Sequence, residues 1–187
     1  AFRPGQPLVY LPLPNGMISG NAIGVNDNGV IVGAAGAYYS PEFFGRAVAW
    51  DPDGVGGYTV RLLGALPGQT ISRATAVNNV GDIVGYSSNG TYRYPVLFTS
   101  AGGVVDLTAT GIFDPMDIND QRVVVDRSFT VKRLDLDTMV AEDLGHPPGS
   151  YLATSAVAIN EAGQVGGLAI LTSGGNCDRV AARYTDG

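Results

Sequence analysis

Three short stretches of the chain alternate small and branched side chains with a period of two. Ala22, Gly24 and Asn26 oppose Ile23 and Val25; Ala74, Ala76 and Asn78 oppose Thr75 and Val77; Ala156, Ala158 and Asn160 oppose Val157 and Ile159. Period two with a β-branched side predicts packed strands. Each stretch runs into a turn of the Asn-Asp-Asn-Gly kind, because Asn and Gly tolerate positive φ, and a return strand such as Val30–Val32 or Ile83–Val84 follows. The small-residue side suits a strand lying near a narrow axis, so this strand is expected to be innermost.

Aligning these turns exposes a fourfold repeat. The segments from Ala22, Thr75, Met116 and Ala156 superimpose on Asn26, Asn78, Asn119 and Asn160, which are 52, 41 and 41 residues apart. Each is followed by a strand ending in a large residue, at Trp50, Phe98, Leu134 and Tyr184. Leu-rich segments recur as LPLPNG from Leu11, LGALPG from Leu63, LTATG from Leu107 and LGHPPG from Leu144. Units of roughly 47 residues match a four-stranded propeller blade. The expectation is one all-β domain over 1–187, a small β-propeller with four blades in repeat units of about 8–57, 58–103, 104–139 and 140–187. The chain ends in the acidic turn after Tyr184 and begins with Leu8-Val9-Tyr10-Leu11, the strand that should come next. That N-terminal strand is expected to complete the last blade and close the ring without a free edge. The alternative is half of a larger ring completed by a second chain, so the expected state is a monomer or a ring-completing homodimer.

The repeat resembles the HAF repeat of extracellular bacterial proteins. Arg46-Ala47-Val48-Ala49-Trp50 stands at its His-Ala-Phe-x-Trp, Leu63 to Gly68 at its Leu-Gly segment, and Ala76 to Gly85 at its hairpin. The resemblance implies a secreted, propeller-like protein at an extracellular or cell-surface location, and it carries over no catalytic residue. The third copy departs most. Gln121-Arg122 replaces the turn glycine, and Asp126 stands where Gly should follow Val.

Composition narrows the chemistry. With 27 Gly in 187 residues and only 15% charged residues, a helical bundle is disfavoured. At 45% apolar residues the chain can bury a core. A net charge of −6 argues against nucleic acid as partner. No apolar stretch is long enough for a membrane-spanning helix, so no membrane insertion is expected. One cysteine and one histidine exclude an intrachain disulfide framework and a multi-His zinc site.

Up-and-down connectivity places alternate connections at the same end of a blade. One end then collects Asp27, Asp51, Asp53, Asp82, Asp120, Asp135, Asp137, Glu161 and Asp186. The other collects Arg46, Arg73, Arg93, Arg127, Lys132 and Arg179 with the loops that vary most between copies. Among those loop residues, Tyr38, Tyr39, Phe43, Phe44, Arg46, Tyr92, Arg93 and Tyr94 form the candidate ligand-binding set. Exposed rings beside arginines stack on sugars or anchor proteins, although several aromatics in one loop also pack on each other. At the acidic end, Asp51, Asp53, Asp135 and Asp137 are candidate calcium ligands. No complete calcium loop accompanies them, and solvated turns explain the same residues. His146 and Cys177 form the one possible thiol–imidazole pair, without a motif for an orienting group or an oxyanion hole. The sequence therefore favours a secreted, non-catalytic binding module for a glycan or protein partner. The alternatives are a polysaccharide hydrolase or lyase with its site at the channel mouth, and a self-assembling structural repeat.

Overall fold

The computed structural model describes residues 8–37, 45–127, 130–145, 151–173 and 176–184, with side chains left undescribed at 151–154, 171–173 and 176–178. Fifteen strands form four separate antiparallel sheets. The first sheet contains β1 (Ser19–Val25), β2 (Ile31–Gly36), β3 (Arg46–Pro52) and β4 (Tyr58–Gly64). The second contains β5 (Ile71–Val77), β6 (Ile83–Ser88), β7 (Arg93–Phe98) and β8 (Val104–Asp106). The third contains β9 (Pro115–Ile118), β10 (Val123–Arg127), β11 (Val131–Asp135) and β12 (Val140–Asp143). The fourth contains β13 (Tyr151–Ile159), β14 (Val165–Ser173) and β15 (Asn176–Tyr184). Strand order within every sheet follows the chain.

The sheets are layered, and the first strand of each later sheet docks on the sheet before it. Alternation supplies the apolar seams. Val32, Ala47 and Ala49 of the first sheet meet Ala74, Val77, Ile83 and Phe98 of the second. Val84 and Leu97 on the other face of the second sheet meet Ile118, Val124 and Leu134 of the third. Val125 and Val131 then meet Ala156, Ile159, Val165 and Tyr184 of the fourth.

The closed four-bladed propeller is not what forms. No sheet is closed into a ring, and the architecture is sandwich-like, an open series of packed layers. The N-terminal segment explains why. Instead of adding a strand to the fourth sheet, it lies on the first. Leu11 and Met17 cover Ile31, Ala35, Val48 and Trp50, and Trp50 Nε1 donates to the Pro12 carbonyl at 2.7 Å. An apolar face a few tens of residues away is a cheaper target than one at the far end of the chain, because loop closure costs grow with separation. The fourth sheet has three strands among the described residues.

The repeated asparagines tie the layers together. The Asn26 Nδ2 donates to the Asn78 carbonyl at 2.8 Å, Asn78 Nδ2 to the Asn119 carbonyl at 2.9 Å, and Asn119 Nδ2 to the Asn160 carbonyl at 3.2 Å. Each Oδ1 meanwhile accepts the backbone N–H four residues on, from Val30, Asp82, Val123 and Gln164, holding its own hairpin shut. A single residue thus closes one turn and binds the next. Asn78 and Asn119 are buried, so these bonds face no competition from water.

The third copy keeps this scheme with different residues. At the position of Asp126 the other copies carry Gly33, Gly85 and Gly167, where a Cβ would overlap the carbonyl oxygen of Asn21, Arg73 or Ser155 on the neighbouring strand. The paired strand β9 begins only at Pro115, opposite Asp126, and residues 113 and 114 turn their N–H groups toward position 126 where the other copies present a carbonyl. The Asp126 carboxylate accepts these N–H groups of Phe113 and Asp114 at 3.0 and 2.5 Å. Arg122 adopts φ 63° where Gly29, Gly81 and Gly163 stand at 80°, 94° and 75°. Ion pairs to Asp82 and Asp137 at 2.9 Å each hold it there.

Replacing Asn78 by Ala leaves the Asp82 N–H unpaired and strips the Asn119 carbonyl of one donor, and should cost about 2–3 kcal/mol. The same change at exposed Asn160 should cost about 1 kcal/mol or less. Urea unfolding of the two variants distinguishes a load carried by the interior of the ladder from one spread evenly along it.

Candidate binding surface

The acidic end owes its charge to the hairpins. Asp27 N donates to Asn79 Oδ1 at 2.7 Å, Asn79 N to Asp120 Oδ1 at 2.6 Å, and Asp120 N to Glu161 Oε2 at 3.0 Å. This second row runs beside the asparagine row, with side-chain oxygens accepting otherwise orphaned turn N–H groups. The candidate calcium ligands have local partners as well. Asp51 pairs with Arg61 at 2.7 Å, and Asp53 Oδ1 accepts from Val55 N and Gly57 N. Asp135 Oδ1 accepts from Thr138 N and Asp137 N, which together hold its pKa below the ordinary carboxylate value. Asp137 pairs with Arg122. Among the described residues, no three His, Cys, Asp or Glu side chains converge as a metal site.

Tyr38, Tyr39, Phe43, Phe44 and His146 lie outside the described residues. Cys177 lies on β15 opposite Thr172. The remaining candidates are divided by the pleat. Arg46 pairs with Ala35 across β2–β3, on the face that the N-terminal segment covers. Tyr94 is half-buried against the seam between the first two sheets. Tyr92 and Arg93 stay together at the far end of the second sheet. Asn89 Oδ1 accepts from Thr91 N and Tyr92 N, a turn that sets Tyr92 in solvent at 66% exposure.

Arg93 lies with its guanidinium 4.5 Å from the centre of the Tyr86 ring, and Tyr86 is buried beneath it. Arg73 is the direct cross-strand partner of Tyr86 on β5. Two arginines therefore flank one tyrosine, with Tyr92 at the adjoining turn. The sequence alone groups Arg73 and Arg93 at this end but does not mark Tyr86. The position eight residues after the turn asparagine holds Ala34, Tyr86, Arg127 and Leu168 in the four copies, so the repeat gives no signal for a ring there. Stacking costs a guanidinium little of its hydrogen-bonding capacity, because its N–H groups lie in the plane of the group and remain directed outward.

A concave feature lies on the third sheet. It is a groove of about 340 Å³ lined by Val123, Arg133, Asp135, Thr138, Val140, Glu142 and Gly163. Arg133 spends its Nε and Nη2 on Glu142 at 2.9 and 2.8 Å, so the charges in this groove are largely matched to each other. Beneath the same sheet, Asp117 Oδ2 accepts the Ile159 N–H at 2.9 Å from the fourth sheet. Burial pushes the Asp117 carboxyl above the ordinary value of 3.8, outweighing the N–H bonds from Ile159 and Ile118. Among the described residues, no helix is long and apolar enough to cross a membrane.

No family model and no curated protein matches the chain. The geometry of its own residues therefore carries the functional reading.

The folded protein holds the Asp117 proton more tightly than the unfolded chain does. This contribution therefore favours folding at low pH and is lost as pH rises through the raised pKa. Asp117→Asn keeps an oxygen acceptor for the Ile159 N–H without the buried charge. The variant should gain stability relative to the parent between about pH 4 and about pH 7, measured by denaturant midpoints across that range. Parallel pH profiles would show that Asp117 titrates alike in both states.

Proposed function

We propose that the protein is a non-catalytic binding module acting outside the cell, and that its contact surface is the arginine–tyrosine strip at the far end of the second sheet. The observation that carries this reading is the Arg93 guanidinium stacked on Tyr86, with Arg73 across the strand and exposed Tyr92 beside it. An aromatic plane next to two cations suits a sugar ring that bears a carboxylate. The ring stacks on Tyr92, and its carboxylate accepts the in-plane N–H groups of a guanidinium. A glycan of uronic acid units is thus the favoured partner class, ahead of a neutral glycan or a protein. The resemblance to HAF repeats supports the extracellular placement. The net charge of −6 does not oppose it, because the acidic groups gather at the hairpin end.

Titration with oligogalacturonate should give saturable binding that weakens with salt, and neutral cello-oligosaccharide should bind at least tenfold more weakly. Tyr92→Ala and Arg93→Ala should each weaken binding by roughly tenfold or more, which corresponds to about 1.4 kcal/mol. Tyr92→Ala should leave the thermal midpoint unchanged, because the side chain is exposed; Arg93→Ala should lower stability by about 1 kcal/mol or less through loss of the ring contact. Binding unaffected by either change would remove this strip from consideration, and binding of an acidic peptide alone would reassign the partner to a protein.

A further inference from the structure

The two outer layers expose positions that every inner layer buries. Val25 of the first sheet is 66% exposed, whereas its copies Val77, Ile118 and Ile159 are 8%, 5% and 9% exposed because the preceding sheet covers them. Ala22 is exposed, whereas its copies Ala74 and Ala156 are fully buried. The opposite surface of the fourth sheet shows the complementary deficit. Ala181 is exposed where Ala47, Pro95 and Val131 are buried, and Gly166 is exposed where Val32, Val84 and Val125 are buried. Ala158, exposed on the same strip, occupies the position of buried Ala76.

The hydrogen-bond rows are open at the same two places. At the fourth sheet, Asn160 Nδ2 has no following carbonyl and turns back to Gln164 Oε1 at 2.9 Å. At the first sheet, the Asn26 carbonyl accepts the Gly29 N–H of its own turn, whereas the Asn78 carbonyl accepts both its turn N–H and the Nδ2 of the preceding asparagine. Asp27 stands where Asn79, Asp120 and Glu161 each accept the N–H of the preceding hairpin. One surface therefore offers a side-chain amide and a turn N–H, and the other offers a carbonyl and the Oδ1 of Asp27, whose Oδ2 accepts from Asn79 Nδ2 at 2.9 Å.

We infer that a second copy of this chain docks head to tail, with the first sheet of one copy on the outer face of the fourth sheet of the other. The contact repeats the one already made between successive layers. Val25 and Ala22 cover Ala181 and Gly166, Asn160 Nδ2 donates to the Asn26 carbonyl of the second copy, and Glu161 N donates to Asp27. The segment 11–17 does not forbid it. That segment covers Ile31, Ala35, Val48 and Trp50 on β2 and β3, whereas docking between layers is led by the first strand, whose equivalent β1 is left bare at Ala22 and Val25. Such a contact joins two different surfaces, so it leaves each pair with one free surface of either kind.

Light scattering of the intact chain should show mass rising above that of one 19.3 kDa chain as concentration increases into the hundred-micromolar range. Val25→Asp, at an exposed position, should hold the chain monomeric with its unfolding midpoint unchanged. Ala181→Arg, at the other surface, should do the same. Mixing the two variants should restore association and stop at a pair, because Val25→Asp retains a working fourth-sheet surface and Ala181→Arg a working first-sheet surface. A chain that stays monomeric at every concentration overturns the inference. So does association that survives both single changes, or variants that remain monomeric when mixed.

Discussion

The structure depends on one constraint: the first strand of each sheet must end on an asparagine whose amide serves two directions at once. Its oxygen closes the local hairpin, and its nitrogen reaches the carbonyl of the next asparagine. Apolar seams between flat faces are non-directional, and alone they would allow a layer to slide. Hydrogen bonds between equivalent carbonyls fix the register of every layer against its neighbour. Because the bonds are buried in the interior copies, sliding would leave polar groups unpaired without water to replace them. Aspartate could cap the same turn but carries no donor, and serine has its one donor on the same oxygen that must accept, whereas asparagine sends an oxygen and a nitrogen in two directions.

This constraint explains what the third copy is free to change. Its turn glycine is lost, yet Arg122 reaches the same left-handed conformation and is held by two carboxylates. Its strand glycine is lost as well, but the opposing backbone presents N–H groups there, and the Asp126 carboxylate accepts those of Phe113 and Asp114. Asn119 remains, and it both closes the turn through Oδ1 and donates through Nδ2 to the Asn160 carbonyl. What looks like decay in the sequence is a substitution of side-chain hydrogen bonds for backbone ones.

The pattern of residues made the strands, the hairpins and the fourfold repeat legible, since period-two alternation and Asn-Gly turns act locally. Ring closure was not legible. It depended on which apolar face the N-terminal segment would cover, and Leu11 is as compatible with Trp50 as with a strand position in the last sheet. The double use of asparagine was hidden for a related reason. Tolerance of positive φ already accounts for Asn in a turn, so nothing at Asn26 or Asn78 advertises a partner 52 or 41 residues away. At the candidate site, nearness to a loop drew Arg46 and Arg93 into one group, whereas strand pairing assigns Arg46 to the covered face of the first sheet and Arg93 to Tyr86 on the second.

The same logic bears on the proposed contact surface. At the hairpin end, the side chains that could attract a cation are already acceptors for turn N–H groups or partners of arginines: Asp120 and Glu161 serve preceding hairpins, Asp53 and Asp135 serve their own turns, and Asp51 and Asp137 hold Arg61 and Arg122. A ligand there would have to displace bonds on which the layering rests. Among the described residues, the strands at the far end begin and end without such a row, and Arg93 is held there by a ring rather than by a carboxylate. The acidic and amide groups of the hairpin end are thus spent on register, and the stacked Arg93 and Tyr86 of the proposed contact surface lie at the opposite end.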